Sequence, residues 1–192
     1  TDFAEDLQLT AGTGSIDFDL AVGGTTDLGA ISVVSALDVT AAAGFNADSF
    51  AQDAGTGDTQ FDGAVLLEAA GGLAVTTSTV TINSTIDTLT SGNGGSVTVT
   101  NAGLLDIASG ADMELDGAFL QDGAGSVQTA GDITTTSDAI TFTTDVTLTD
   151  GESLAIDTGA GGGSITFSAS LDGTTDFAED LQLTAGTGSI DF

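Results

Sequence analysis

Residues 1–18 read TDFAEDLQLTAGTGSIDF, and residues 175–192 read the same eighteen letters. The offset from 1 to 175 is 174 residues, and eighteen identical positions do not recur by chance. A self-match at a fixed period marks a repeat architecture, in which each unit buries its apolar face against its neighbours. The segment holds two short alternating runs, Leu7-Gln8-Leu9 and Ile16-Asp17-Phe18, split by the glycine turn Ala11-Gly12-Thr13-Gly14. Period-two alternation puts Leu7 and Leu9 on one side of a strand and Gln8 on the other. The chain therefore reads as one unit, residues 1–174, followed by the opening of an identical unit, residues 175–192. The natural molecule is expected to continue as a tandem array.

Outward from this segment the same rhythm fills the chain. Leu37–Val39, Val80–Ile82, Val97–Val99, Leu105–Ile107, Met113–Leu115, Ile140–Phe142, Val146–Leu148, Leu154–Ile156 and Ile165–Phe167 all alternate. These runs are short and rich in Val, Ile, Phe and Thr, which suit a pleated, half-buried surface. Gly, Asp, Asn and Ser clusters such as SGNGG and GAGGG separate them and read as turns. No stretch sustains a capped helical period, so almost no helix is expected. The least regular stretch, Ala41 to Asp58, reads as a loop or bulge, with Phe45 and Phe50 five apart.

An antiparallel sandwich and a β-solenoid both fit alternating strands. Two-residue hairpins favour Asn-Gly, and only Asn93-Gly94 offers that dipeptide. No linker separates the unit from its successor, as expected when one stacked core runs through the junction. The chain has no proline, which central strands exclude because it cannot donate to the ladder. The fold class predicted is all-β, a parallel β-solenoid of roughly 6–9 coils at roughly 20–30 residues each, with strands about 4.8 Å apart. Leu154, Ile156, Ile165 and Phe167 are expected to point inward and Asp157 outward.

There are 29 acidic residues and no Lys, Arg or His. Salt bridges between side chains are therefore impossible. Phosphate binding needs basic groups, so nucleic acid is not an expected partner, and anionic lipid is excluded on the same ground. No run is apolar for long enough to span a bilayer as a helix. Cysteine is absent, which removes disulfides and thiolate sites. At 40% hydrophobic residues in strand-like alternation the chain does not read as a disordered acidic tail. Mutual repulsion is expected to raise many carboxylate pKa values.

Asp112, Glu114, Asp116 and Gly117 spell D-x-E-x-D-G, similar to the start of a calcium loop. The twelfth position of such a loop is Gly123 where a Glu is needed, and Met113 and Leu115 alternate with the acids as in a strand. An outward acidic ladder is the plainer reading, and Asp112, Glu114 and Asp116 are kept as candidate Ca²⁺ ligands. No cofactor is required by any motif. Paired Asp residues suit glycoside hydrolysis only when held about 5–10 Å apart beside the bond. Without Trp, Tyr, His, Lys or Arg to support such a site, no enzyme is expected. Thr-x-Thr triplets at 79–81, 98–100, 141–143 and 147–149 raise a flat threonine array of the ice-binding kind, against the plainer reading of good outward strand residues.

The phrases GGGSITFSASLDG (161–173), LQLTAGTGSIDFDLAVGG (7–24), ISVVSALDVTAAAG (31–44) and GDTQFDGAV (57–65) resemble the β-strand repeats of very large bacterial surface exoproteins, the filamentous-haemagglutinin-like adhesins and their relatives. The resemblance lies in a loose I-T-F…V-x-G…L-x-V rhythm over most of the chain and in no catalytic signature. It implies a right-handed parallel β-helix, secretion, and a role in adhesion or surface fibres. The total lack of Lys and Arg is a departure that the family does not require. The function expected is a structural fibre, extracellular or on a bacterial cell surface, whose partners are further copies of itself and divalent cations. An adhesin stalk or other binding module is the alternative.

Overall fold

The computed structural model describes residues 5–149, 153–175 and 178–192. The described residues contain no helix. Every strand pairing is parallel, and the chain winds through about 8 turns of a β-solenoid. Each coil crosses three faces in order. Face 1 stacks Leu7, Ile31, Phe50, Leu73, Val97, Phe119, Ile140, Ile165 and Ile190. Face 2 stacks Ile16, Val39, Thr59, Val80, Leu105, Val127, Val146 and Leu171. Face 3 stacks Val22, Phe45, Val65, Ile86, Met113, Ile133, Ile156 and Leu183.

Alternation explains the core directly. In Ile140–Phe142, Val146–Leu148 and Ile165–Phe167 the outer two residues are buried and the middle threonine is half-exposed. Leu154, Ile156, Ile165 and Phe167 are all buried, while Asp157 lies outward and half-exposed. One apolar cluster runs from Ile31 to Ala185 without a break. A coil this thin has no core of its own. Its inward side chains gain apolar contact only from the coils above and below.

In Ala41 to Asp58 the structure shows the bulge of the two expected alternatives, not a loop. Phe45–Gln52 is an eight-residue strand that bends from face 3 to face 1. Phe45 and Phe50 are both buried, although an odd spacing puts residues on opposite sides of a regular strand. The register shift between Ala47 and Ser49 supplies the missing inversion. The repeated segment keeps one local shape at both places. Leu7–Thr10 and Ile16–Phe18 flank a turn closed by Gly14 N–H to Ala11 O, 3.0 Å. Asp180–Thr184 and Ile190–Asp191 flank the same turn, closed by Gly188 N–H to Ala185 O, 2.6 Å. Both turns need a left-handed residue, which glycine supplies at Gly12 (φ 64°) and Gly186 (φ 52°).

Candidate functional site: carboxylate staples and a buried amide ladder

With no cation in the chain, carboxylates find donors in hydroxyls, side-chain amides and the backbone, and many of these donors lie one coil away. Asp58 N–H donates to Asp38 Oδ1 (3.0 Å), while Ser15 in the preceding coil donates its hydroxyl to Asp38 Oδ2 (3.0 Å). Asp132 N–H donates to Asp112 Oδ1 (3.1 Å), and Ala155 N–H donates to Asp132 Oδ1 (2.7 Å). Ser170 gives both its N–H (3.1 Å) and its hydroxyl (2.8 Å) to Asp145 Oδ1. Asp58 and Ala155 have no ladder partner in the coil before them, where pairing begins one residue later, so their N–H groups need other acceptors. A charged acceptor makes a hydrogen bond roughly twice as strong as a neutral one. The acids therefore act as staples from coil to coil.

The candidate calcium ligands belong to this scheme. Met113–Leu115 buries Met113 and Leu115 and turns Glu114 outward into solvent. Asp112 Oδ1 is taken by Asp132 in the next coil. Asp116 Oδ2 accepts Gly94 N–H (2.6 Å) from the coil before, and its Oδ1 accepts the Thr136 hydroxyl (3.2 Å) from the coil after. Glu114 stands in register with Asp87, a like-charge pair on face 3. Among the described residues no group of three or more acidic side chains gathers at metal-binding distance.

Three acids titrate below their ordinary range, opposite to the rise that repulsion alone predicts. Gln60, then Asn83, hold Asp62 down through side-chain hydrogen bonds. The Ser170 hydroxyl, then its N–H, does so at Asp145, and the Thr174 hydroxyl is the main cause at Glu179. A depressed folded pKa stabilises the fold above the unfolded value and loses that effect as pH falls through the folded value. Asp145→Ala is therefore expected to lower the melting temperature at neutral pH. The gap from the parent should close as pH drops below the ordinary value of 3.8. Paired melts across that range check this, and a gap independent of pH would refute the charged staple.

A second polar system lies inside, at the corner between faces 1 and 2. Asn101 and Gln121 are each 0% exposed. Gln121 Nε2 donates to Asn101 Oδ1 (2.8 Å) and to Gly125 O (3.2 Å), and Gln121 Oε1 accepts Thr143 N–H (3.0 Å) from the next coil. Asn101 Nδ2 donates to Gly103 O (2.6 Å) and Ser126 O (3.2 Å). Gly125 must be glycine, because a Cβ there would collide with the Gly103 carbonyl. Gln52, two coils before Asn101, accepts the Thr59 hydroxyl (2.8 Å), but its buried Nε2 has no partner. Outside this corner runs an open groove of about 440 Å³, lined by Gly55, Thr76, Thr77, Thr100, Asn101 and Gly123 among others.

The threonine triplets form no single flat array. Those at 98–100 and 141–143 lie on face 1, with Leu120 between Thr98 and Thr141 in the outward column. Those at 79–81 and 147–149 belong to face 2. The sequence singled out the acids as a ladder but missed their role as staples. The available signal was an Asp recurring one coil later beside a strand, as at Asp38 and Asp58 or Asp112 and Asp132.

The class defined by these features is a parallel β-solenoid with an all-acidic charged surface and no helix among its described residues. No protein-family model, curated protein or solved structure matches the chain.

Proposed function

We propose that this chain is a structural module of an extracellular or cell-surface fibre, of bacterial type, built from tandem solenoid units. The observation that carries the reading is the eighteen-residue segment that recurs after 174 residues and lies on the same continuous apolar core as the coils before it. The second copy of the segment packs Leu181, Leu183 and Ala185 on that core and pairs in parallel with the coil before it, as the first copy pairs with the coil after it. Each coil buries its apolar face only against its neighbours, so a unit that passes into a copy of itself extends one core along the axis. Imaging of the native assembly by electron microscopy is the test. Filaments with a regular axial repeat are expected, and dispersed compact particles would sink the reading. An adhesin stalk shares this architecture, and binding of isolated material to cells, rather than to itself alone, separates it from a plain fibre.

Divalent cations are proposed as partners of the whole acidic surface. Screening length falls from about 30 Å at 0.01 M salt to about 3 Å at 1 M, so added salt should raise the melting temperature. Ca²⁺ prefers several oxygen ligands and can bridge carboxylates that salt only screens. A higher melting temperature and more light scattering are therefore expected with Ca²⁺ than with a chelator at matched ionic strength. Identical curves would leave the acids as staples and a solvated coat.

A further inference from the structure

The two identical segments do not sit on the same faces. Leu7–Thr10 lies on face 1, in register with Ile31, while Asp180–Thr184 lies on face 3, in register with Leu154 and Ile156. Likewise Ile16 is on face 2 and Ile190 on face 1. Face 1 recurs seven times between Leu7 and Ile165, and two further faces reach Leu181. The 174-residue unit thus advances seven coils and two-thirds of another. We infer that successive copies of this unit dock end to end with each copy turned by one third of a turn, face 1 of the second resting on face 3 of the first. The inference rests on the fibre reading above and specifies how its units meet.

The chain displays both halves of that junction. Its C-terminal copy shows what lies beneath the shared rung, and its N-terminal copy shows what lies above. Phe192 stacks on Phe167 with ring centroids 5.4 Å apart and planes 10° apart. The same residue of the unit, as Phe18, packs edge-on against Phe45 at 4.8 Å. With the one-third turn, a single phenylalanine stacks on the column of Phe142 and Phe167 below, lies under Ala41 in its own column above, and meets Phe45 edge-on from the neighbouring column. Keeping face 1 on face 1 would instead seat that phenylalanine over Gly173, which ends the face 2 column and offers no side chain. The serine of the segment is likewise used from both sides: Ser189 Oγ lies 3.2 Å from Ser164 Oγ beneath it, and Ser15 donates to Asp38 above.

The geometry has a consequence for assembly. At about 4.8 Å per coil each unit rises about 37 Å, and three units restore the starting orientation after about 110 Å. Every lateral feature, including the outward Asp87–Glu114 pair and the groove at the face 1–face 2 corner, then points in three directions along the fibre. A lateral neighbour, itself another such rod, is offered the same surface from three sides.

The test uses a tandem of two 174-residue units followed by residues 175–192. The absence of cysteine makes introduced thiol pairs unambiguous. Ala155 is in register with Gln182, and Gln8 is in register with Ser32, so Ala155 of the first unit should lie two rungs below Ser32 of the second. That separation is about 9.6 Å. Ala155→Cys in the first unit with Ser32→Cys in the second should be joined almost completely by a bismaleimide of that span. Thr166→Cys with the same Ser32→Cys should not be joined. Linkage through Thr166 and not Ala155 would overturn the one-third turn while leaving end-to-end stacking intact. Linkage through neither pair would overturn both the turn and the continuous fibre.

Discussion

Gln121→Leu is expected to lower the free energy of unfolding by about 3 kcal/mol, since each buried polar group left unpaired costs about 1–3 kcal/mol. The substitution keeps the bulk of the side chain but strips partners from Thr143 N–H and Asn101 Oδ1, at a site with no exposure. Gln52 is the control, because it occupies the same inward column, between Val33 and Val75, with its Nε2 unpaired. Gln52→Leu combined with Thr59→Val removes both ends of its one hydrogen bond and fills the column with apolar atoms. That double variant is expected to be neutral or more stable by about 1 kcal/mol, because replacing both partners by apolar groups of similar shape is nearly free. Urea melts with unchanged slopes would measure both. Equal losses in the two variants would mean that side-chain volume, and not the amide ladder, sets stability at this corner.

The period-two signal at Leu154–Ile156 and Ile165–Phe167 was enough to place those side chains inward, because a strand lets each residue choose only between two sides. The solenoid was legible because a repeat that continues without a linker needs a core that continues too. The three-faced cross-section was not. A corner is made by turns whose residues, Gly, Asp and Ser, look the same whether the chain bends slightly or reverses. Phe45 and Phe50 illustrate the limit, since one inserted residue inverts the pattern and sequence shows only a broken rhythm. The staples were hidden for a related reason. Their partners lie one coil away, and coils differ in length: Ile31 to Phe50 spans 19 residues, while Ile140 to Ile165 spans 25. No fixed offset exists from which Asp145 could be matched to Ser170. The lowered pKa values at Asp62, Asp145 and Glu179 follow from those unseen donors, whereas counting charges anticipates only repulsion.

Phe142→Ala is expected to cost about 4 kcal/mol, within the range of about 3–5 kcal/mol for a buried phenylalanine. Phe142 is 0% exposed, tilted against Phe119 at 5.2 Å and stacked on Phe167 at 5.3 Å. Removing the ring leaves a cavity that the neighbouring coils cannot close, because each is held in register by its own parallel ladder. In the 192-residue chain, where no coil covers it, Phe192→Ala removes the same ring from the same column at a side chain 78% exposed and should cost under about 1 kcal/mol. The contrast has a further expression. Solenoid stability is roughly a sum of coil terms and nearest-neighbour interfaces, so a defect at Phe142 uncouples the coils carrying Phe167 and Phe192 from those before it. Amide exchange in Phe142→Ala should therefore accelerate throughout residues 153–175 and 178–192 while Ile31–Phe61 keeps its protection. A uniform loss of protection along the chain would show instead that the coils unfold as one unit.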